Sequence, residues 1–368
     1  MNIMISGGGT GGHIYPALTI YKTLETMVDA NFLYVGTERG LESRIVPKEG
    51  IPFTTLPVQG LQRKLSLDTL VTAGKTLSSL WKANRLLSDF KPDIVIGTGG
   101  YVCGPLLLAA ALRGIPTLIQ EQNVVPGITN KILSRFVDVV AVGYEEAIRQ
   151  FPKAKQVVYT GNPVRPNVVT ANREEARAYF GLQNDQIAIL VAGGSRGARS
   201  INTAMQAVHE QYKGREDIKI IHATGTDEYS RVCEGLGIHE GESYSPTSHI
   251  VPYLDNMDTA MAASDIAIFR SGAIGLAELA VRGIPSILIP YPYAAADHQT
   301  FNAKAFVDAG ASTMIVDKEL NGTRLLQAVD AMLADQRCRE RMAEATLQLG
   351  KPEAAIEIAK LALSIKKS

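Results

Sequence analysis

Disulfides, zinc fingers and spanning helices are all missing from this chain. Its 368 residues carry only three cysteines. They stand at 103, 233 and 338, odd in number and far apart, with no CxxC pair, so a reduced cytoplasmic setting is expected. The chain opens on a strand-like run and a glycine turn, without the charged and then apolar start of a secretory signal, which agrees with that setting. Neither sign of charge is in excess: 37 Lys and Arg stand against 37 Asp and Glu. The basic footprint of a nucleic-acid binder is therefore missing, and no nucleic acid is expected as a partner. The longest apolar runs, such as 105–112, fall well short of the ~20 residues that cross a bilayer. No D-x-D occurs anywhere, so the metal-bridged diphosphate site of single-lobe nucleotide-sugar transferases has no counterpart here. No metal and no organic cofactor are expected. What remains is the composition of an ordinary soluble protein, 46% hydrophobic and 20% charged, with a length that favours two domains over one core.

Glycine, by contrast, is clustered. Gly7-Gly8-Gly9-Thr10-Gly11-Gly12-His13 directly follows the first strand-like run, and Gly193-Gly194-Ser195-Arg196-Gly197-Ala198 follows another near the midpoint. A glycine-rich strand-to-helix turn lets backbone N–H groups come close to a phosphate at the positive end of a helix. Two such turns, each opening its own half, suggest two lobes with a ligand between them.

The first half alternates strand-like runs at 2–6, 32–36, 52–56, 93–97, 117–121 and 137–142 with helical patterns, the longest at about 67–88. The second half repeats the scheme, with runs at 187–192, 218–223, 249–252, 266–269, 286–290 and 313–316 and helices including 273–282 and 302–309. This alternation predicts an α/β chain with a doubly wound parallel sheet in each half. The segment 160–166, with Gly161, Pro163 and Pro166, reads as a hinge. The expected division is 1–163, 164–350 and a final helical piece, 351–368, able to pack back on the first lobe.

Each candidate site has a plain alternative. The first glycine turn matches G-x-G-x-x-G through Gly7, Gly9 and Gly12, which on its own fits a dinucleotide site with Glu38 as the ribose ligand. It is not a Walker A loop, since His13 stands where the lysine belongs. His13 opens the following helix; it is a candidate general base or a residue that only orients the loop. The runs 97–105 and 120–123 follow strands, where open parallel sheets bind ligands. Glu121 is a second candidate for catalysis, against an N-cap or ion-pair role. Glu278, in the helix after Arg270-Ser271-Gly272-Ala273, is placed to accept bonds from both hydroxyls of a ribose, or else faces solvent. The segment 297–302 offers amides suited to sugar hydroxyls. Residues 60–91 carry Arg63, Lys64, Lys75, Lys82, Arg85 and Lys91 beside Leu61, Leu65 and Trp81, a pattern fit either for an anionic membrane surface or for a core helix with a solvated basic face.

Together these motifs resemble one family, the GT-B glycosyltransferases of family 28 that add N-acetylglucosamine to lipid I in peptidoglycan synthesis. The resemblance rests on Gly8–His13, Gly99-Gly100-Tyr101-Val102, Glu121-Gln122-Asn123, Gly161-Asn162-Pro163-Val164-Arg165, Gly193–Ala198, Arg270–Ala273 with Glu278, and Asp297-His298-Gln299 with Asn302-Ala303, in order along nearly the whole chain. It implies the GT-B fold, two Rossmann-like, doubly wound parallel-sheet lobes facing across a cleft, of which the first faces the membrane and takes the acceptor, lipid I, and the second binds the donor, UDP-N-acetylglucosamine. It implies that Glu278 holds the ribose, that the backbone around Leu254 and Ala273 reads the uracil, that Ser195 and Arg165 approach the diphosphate and that Gln299 contacts the sugar. Thr10, Gly11, Gly12 and Asn123 would close the donor site, and His13 is the family's candidate base. It further implies a peripheral enzyme at the cytoplasmic face of the cell membrane, with an anionic lipid surface and other proteins of cell-wall synthesis as partners. Two positions depart from the family: Thr300 replaces a glutamine after Gln299, and Arg196 replaces a glutamine where it adds a charge near the diphosphate. A UDP-N-acetylglucosamine 2-epimerase, a diacylglycerol glucosyltransferase and a binding protein that has lost catalysis remain as alternatives.

Overall fold

The computed structural model describes residues 1–58 and 68–366, with the backbone alone over 68–77. The chain divides into two compact units, Met1–Val164 with Pro352–Ser368, and Arg165–Lys351.

Short apolar, β-branched runs ending at glycine or a polar residue form buried parallel strands. In the first unit these are β1 (Asn2–Ser6), β2 (Asn31–Gly36), β3 (Phe53–Thr55), β4 (Ile94–Gly97), β5 (Thr117–Glu121), β6 (Val139–Val142) and β7 (Val157–Tyr159). They lie in the order β3-β2-β1-β4-β5-β6-β7, every pair parallel. The last strand, three residues at a sheet edge and only partly buried, carries too short a pattern to be read from sequence. On one face the helix Gly11–Met27 buries Ile14, Ala17, Leu18 and Tyr21, and the terminal helix Ala354–Ser364 adds Ile358, Ala359 and Ala362 to the same core.

The second unit repeats the plan with β8 (Ile187–Ala192), β9 (Ile218–Ala223), β10 (Ser248–Val251), β11 (Ile266–Phe269), β12 (Ser286–Leu288) and β13 (Ser312–Met314), in the order β10-β9-β8-β11-β12-β13. Ile189, Val191 and Ile268 pack there against Ile201, Met205 and Leu325. The helix expected at 302–309 runs His298–Asp308. Its first residues, His298-Gln299-Thr300, are polar and escape an apolar-period reading, but the Thr300 hydroxyl donates to Asp297 at 2.7 Å across the first turn.

Candidate functional site

In each sheet the strand order reverses beside the strand that precedes a glycine turn. The reversal falls between β1 and β4 in the first unit and between β8 and β11 in the second. Open parallel sheets bind ligands outside the carboxyl ends of the strands at such points.

In the first unit, Gly8 N–H donates to Gly99 O at 3.3 Å, and the Thr98 hydroxyl donates to His13 O at 2.7 Å, so the loops after β1 and β4 lean on each other. His13 is the third residue of its helix. Gly99 has φ +110°, and a Cβ there would meet the His13 ring at 2.8 Å; only glycine lets the imidazole lie against this loop. The ring's Nδ1 lies 3.1 Å from Gln122 Oε1. Thr10 and Gly12 are exposed and Gly11 partly so.

The first glycine turn contains a residue that the sequence did not single out. Glu42 is fully buried and accepts from Gly9 N–H at 3.0 Å, Thr37 N–H at 3.0 Å and the Thr37 hydroxyl at 2.7 Å. A carboxylate thus occupies the Gly9 donor that a phosphate would take in a dinucleotide site. Glu38, the expected ribose ligand of that alternative, is exposed. Nothing in a lone glutamate four residues further on signals this role.

Glu121, at the end of β5, is 1% exposed. Its Oε1 accepts from Asn123 N–H at 2.9 Å and Asn123 Nδ2 at 3.2 Å, and its Oε2 from Gly127 N–H at 3.0 Å and Asn130 Nδ2 at 2.9 Å. Four donors saturate this carboxylate and fix the loop that carries Asn123.

In the second unit, Pro166 starts the short helix Pro166–Thr170, and Arg282 donates to Ala171 O just beyond it at 3.0 Å. This docks the segment against the helix Ala273–Arg282 and brings Arg165 Nε to 2.7 Å from Glu278 Oε1. Glu278 is therefore buried and paired. Arg270 ties the surrounding loops together: its Nη1 donates to Pro290 O at 3.0 Å and Asp317 Oδ1 at 2.5 Å, and its Nη2 to the Ser200 hydroxyl at 2.9 Å. Asn302, fully buried, donates to Ser271 O at 3.2 Å. Tyr291 N–H donates to Gln299 Oε1 at 3.0 Å, which turns the amide nitrogen of Gln299 the other way. Leu254 and Ala273 are buried, and Ser195 is exposed. Arg196 donates to Asp227 at 2.8 Å, so its charge is matched within the loop region instead of standing alone. Gly197, with φ +90°, lies against Thr224 O, where a Cβ would come within 2.2 Å.

That same Thr224 carbonyl ends a buried polar chain. Asn202 Nδ2 donates to it at 2.8 Å, leaving Asn202 Oδ1 to accept from His222 Nε2 at 3.1 Å. His222 Nδ1 then accepts from His209 Nε2 at 3.1 Å, and His209 Nδ1 accepts from the Ser248 hydroxyl at 3.1 Å. The chain is complete only with both rings neutral. Burial pushes the His209 imidazolium down to about 4. Burial, then the neighbouring His209, holds His222 well below the ordinary histidine range. Among the described residues no group of three or more His, Cys, Asp or Glu is placed to hold a metal ion.

Comparison with known proteins agrees with this layout. The Glycosyltransferase family 28 N-terminal domain matches residues 3–142, and the Glycosyltransferase family 28 C-terminal domain matches residues 188–358. A relative from Desulfitobacterium hafniense, the UDP-N-acetylglucosamine--N-acetylmuramyl-(pentapeptide) pyrophosphoryl-undecaprenol N-acetylglucosamine transferase, is 48% identical over 99% of both chains. The crystal structure of Acinetobacter baumannii MurG superposes with a TM-score of 0.79 at 30% identity, covering 99% of each chain. A UDP-GlcNAc 2-epimerase from Neisseria meningitidis shares the fold at a TM-score of 0.68, with 15% identity over 99% of this chain and all of that one.

Proposed function

This chain belongs to glycosyltransferase family 28, and we propose that it transfers N-acetylglucosamine from UDP-N-acetylglucosamine to the 4-hydroxyl of the muramoyl sugar of lipid I, with inversion at the anomeric carbon. The full-length 48% identity to a transferase of that name carries the reading; the 2-epimerase likeness, at 15%, speaks for the fold alone. The acceptor oxygen attacks C1 of the donor sugar, and its proton passes to His13 Nε2. The C1–O bond to the diphosphate breaks, and UDP leaves with the electron pair. Arg165 and the amino end of the helix Ala273–Arg282 stabilise that departing charge. Glu278 holds the ribose, Leu254 and Ala273 border the uracil, Ser195 lies at the diphosphate, and the Gln299 amide serves the sugar. Thr10, Gly11, Gly12 and Asn123 complete the donor site. Glu121 we assign to holding the Asn123 loop, because its oxygens are already satisfied and buried. The linkage formed tests the stereochemistry: a β-linked disaccharide is expected, and an α-linked one refutes the inverting scheme.

Glu278→Ala should remove a charged acceptor from two ribose hydroxyls, a loss of about 1.5–3 kcal/mol in donor binding, seen chiefly as a raised donor KM. A 2′,3′-dideoxyribose donor should show little difference between wild type and variant. An equal difference with both donors would assign Glu278 to holding Arg165 alone.

Attachment to an anionic membrane surface is supported by exposed basic and apolar side chains on three neighbouring helices of the first unit. Of the expected segment, Leu61, Arg63, Lys64 and Leu65 lie outside the described residues, as does the Lys75 side chain. In the helix Asp68–Phe90, Trp81 is 62% exposed next to exposed Lys82 and Arg85. The adjoining helices Cys103–Leu112 and Ile128–Leu133 add Leu112, 71% exposed, and Ile128 and Ile132 with Lys131. Among the described residues no helix is long and apolar enough to cross a membrane. Each basic residue near an anionic surface contributes about 1 kcal/mol. Lys82→Glu with Lys131→Glu should therefore lower affinity for anionic vesicles at least tenfold and leave turnover of a short-chain acceptor unchanged. Equal loss on both would mark a folding defect.

A further inference from the structure

We infer that Gln122 is a positioning residue that fixes the tautomer of His13, leaving a lone pair on Nε2; this rests on His13 being the base. The argument starts from a backbone carbonyl, which can only accept. Asn162 Nδ2 donates to Gln122 O at 2.9 Å, so Asn162 Oδ1 is the atom that accepts from Gln120 Nε2 at 2.9 Å. Gln120 Oε1 is then an acceptor, and Gln122 Nε2 donates to it at 2.5 Å. The same Nε2 faces two further carbonyls, Thr98 O at 2.8 Å and Gln120 O at 3.1 Å. Reversing the Gln122 amide would set its oxygen against three acceptors, so the orientation is settled by the network. Gln122 Oε1 is therefore the atom 3.1 Å from His13 Nδ1. An oxygen without a proton compels Nδ1 to carry one, and a neutral imidazole with Nδ1–H has its basic lone pair on Nε2.

Three features make this a built arrangement. Gln120, Gln122 and Asn162 are 0%, 2% and 3% exposed, so their amides are shielded from bulk solvent. The chain of amides closes on itself, because Asn162 donates back to the carbonyl of the residue whose side chain it orients. The Thr98 carbonyl that receives Gln122 Nε2 belongs to the residue whose hydroxyl holds His13 O, so ring and amide share one anchor. In water a histidine favours the opposite tautomer, with the proton on Nε2. Without Gln122 the Nε2 position would mostly be protonated and unable to accept the hydroxyl proton.

Nitrogen-15 NMR of the histidine-labelled full chain reads this directly and without a mutation. With the His13 ring neutral, its resonances should show Nδ1 protonated and Nε2 unprotonated. Gln122→Met keeps the side-chain length and removes the amide; it should shift the tautomer toward Nε2–H and lower kcat about five- to tenfold with donor KM unchanged. Wild-type His13 protonated on Nε2 overturns the inference. So does a Gln122→Met chain that keeps the Nδ1–H tautomer, or one that loses kcat and KM together with the tautomer intact, the pattern of a purely structural amide. Failure of the underlying reading looks different: the tautomer is as expected but removal of the His13 ring leaves kcat normal.

Discussion

Replacing His13 by Ala should lower kcat by about 10²–10⁴-fold, the usual contribution of a general base, while donor KM stays nearly the same. The ring sits at the reversal of strand order, above the carboxyl ends of β1 and β4, with Nδ1 engaged by Gln122 and its backbone carbonyl held by Thr98. Nε2 is the atom left for a substrate hydroxyl. The acid limb of the pH–rate profile should vanish in the alanine variant. Glu121→Gln, which disturbs the loop through its four donors, should change KM and kcat together and keep that limb. Near-normal kcat in His13→Ala with the limb intact would remove His13 from the chemistry.

The second large effect is on stability. His209 and His222 are neutral in the folded state, with imidazolium forms disfavoured by burial. Their folded values lie below the unfolded one of about 6.5, so the unfolded chain binds protons first as pH falls. Stability is fully present above that value and is lost progressively from there toward about 4, the folded value of His209. At pH 5 the loss from His209 alone is about 2 kcal/mol, and His222 adds to it in the same direction. Urea titrations at pH 7 and pH 5 should show this fall in the wild-type chain, and a variant with both histidines replaced by glutamine should show a much flatter dependence. An equal slope in the two proteins would mean that the pair accepts protons in place.

Much of this architecture was legible because buried parallel strands leave a strong signature. β1, β5, β8, β9 and β11 begin and end where their apolar runs do. The edge strands are less legible: no expected run falls on β7, and the expected runs 52–56 and 313–316 overlap β3 and β13 with shifted ends, because three residues without full burial do not mark where a strand stops. In the site, residue types could be read but partnerships could not. Arg165 and Glu278 stand 113 positions apart, and only the docking of the segment after Arg165 on the helix of Glu278 brings them together. Glu42 carries no motif of its own, and Gln122 is legible only as the middle of Glu121-Gln122-Asn123, with nothing to signal its partner. Their roles come from the strand order β2-β1-β4-β5, which sets the loops after these four strands side by side. Arg196 reads as an unmatched charge until the loop after β9 supplies Asp227.

The most direct test follows the label of UDP-[14C]-N-acetylglucosamine when the full chain is given a water-soluble lipid I analogue. Labelled disaccharide should form with one UDP released per sugar transferred, and the unreacted donor should keep its configuration at C2. Absence of transfer together with conversion of the donor to UDP-N-acetylmannosamine would contradict the transferase reading and make the chain an epimerase on the same fold.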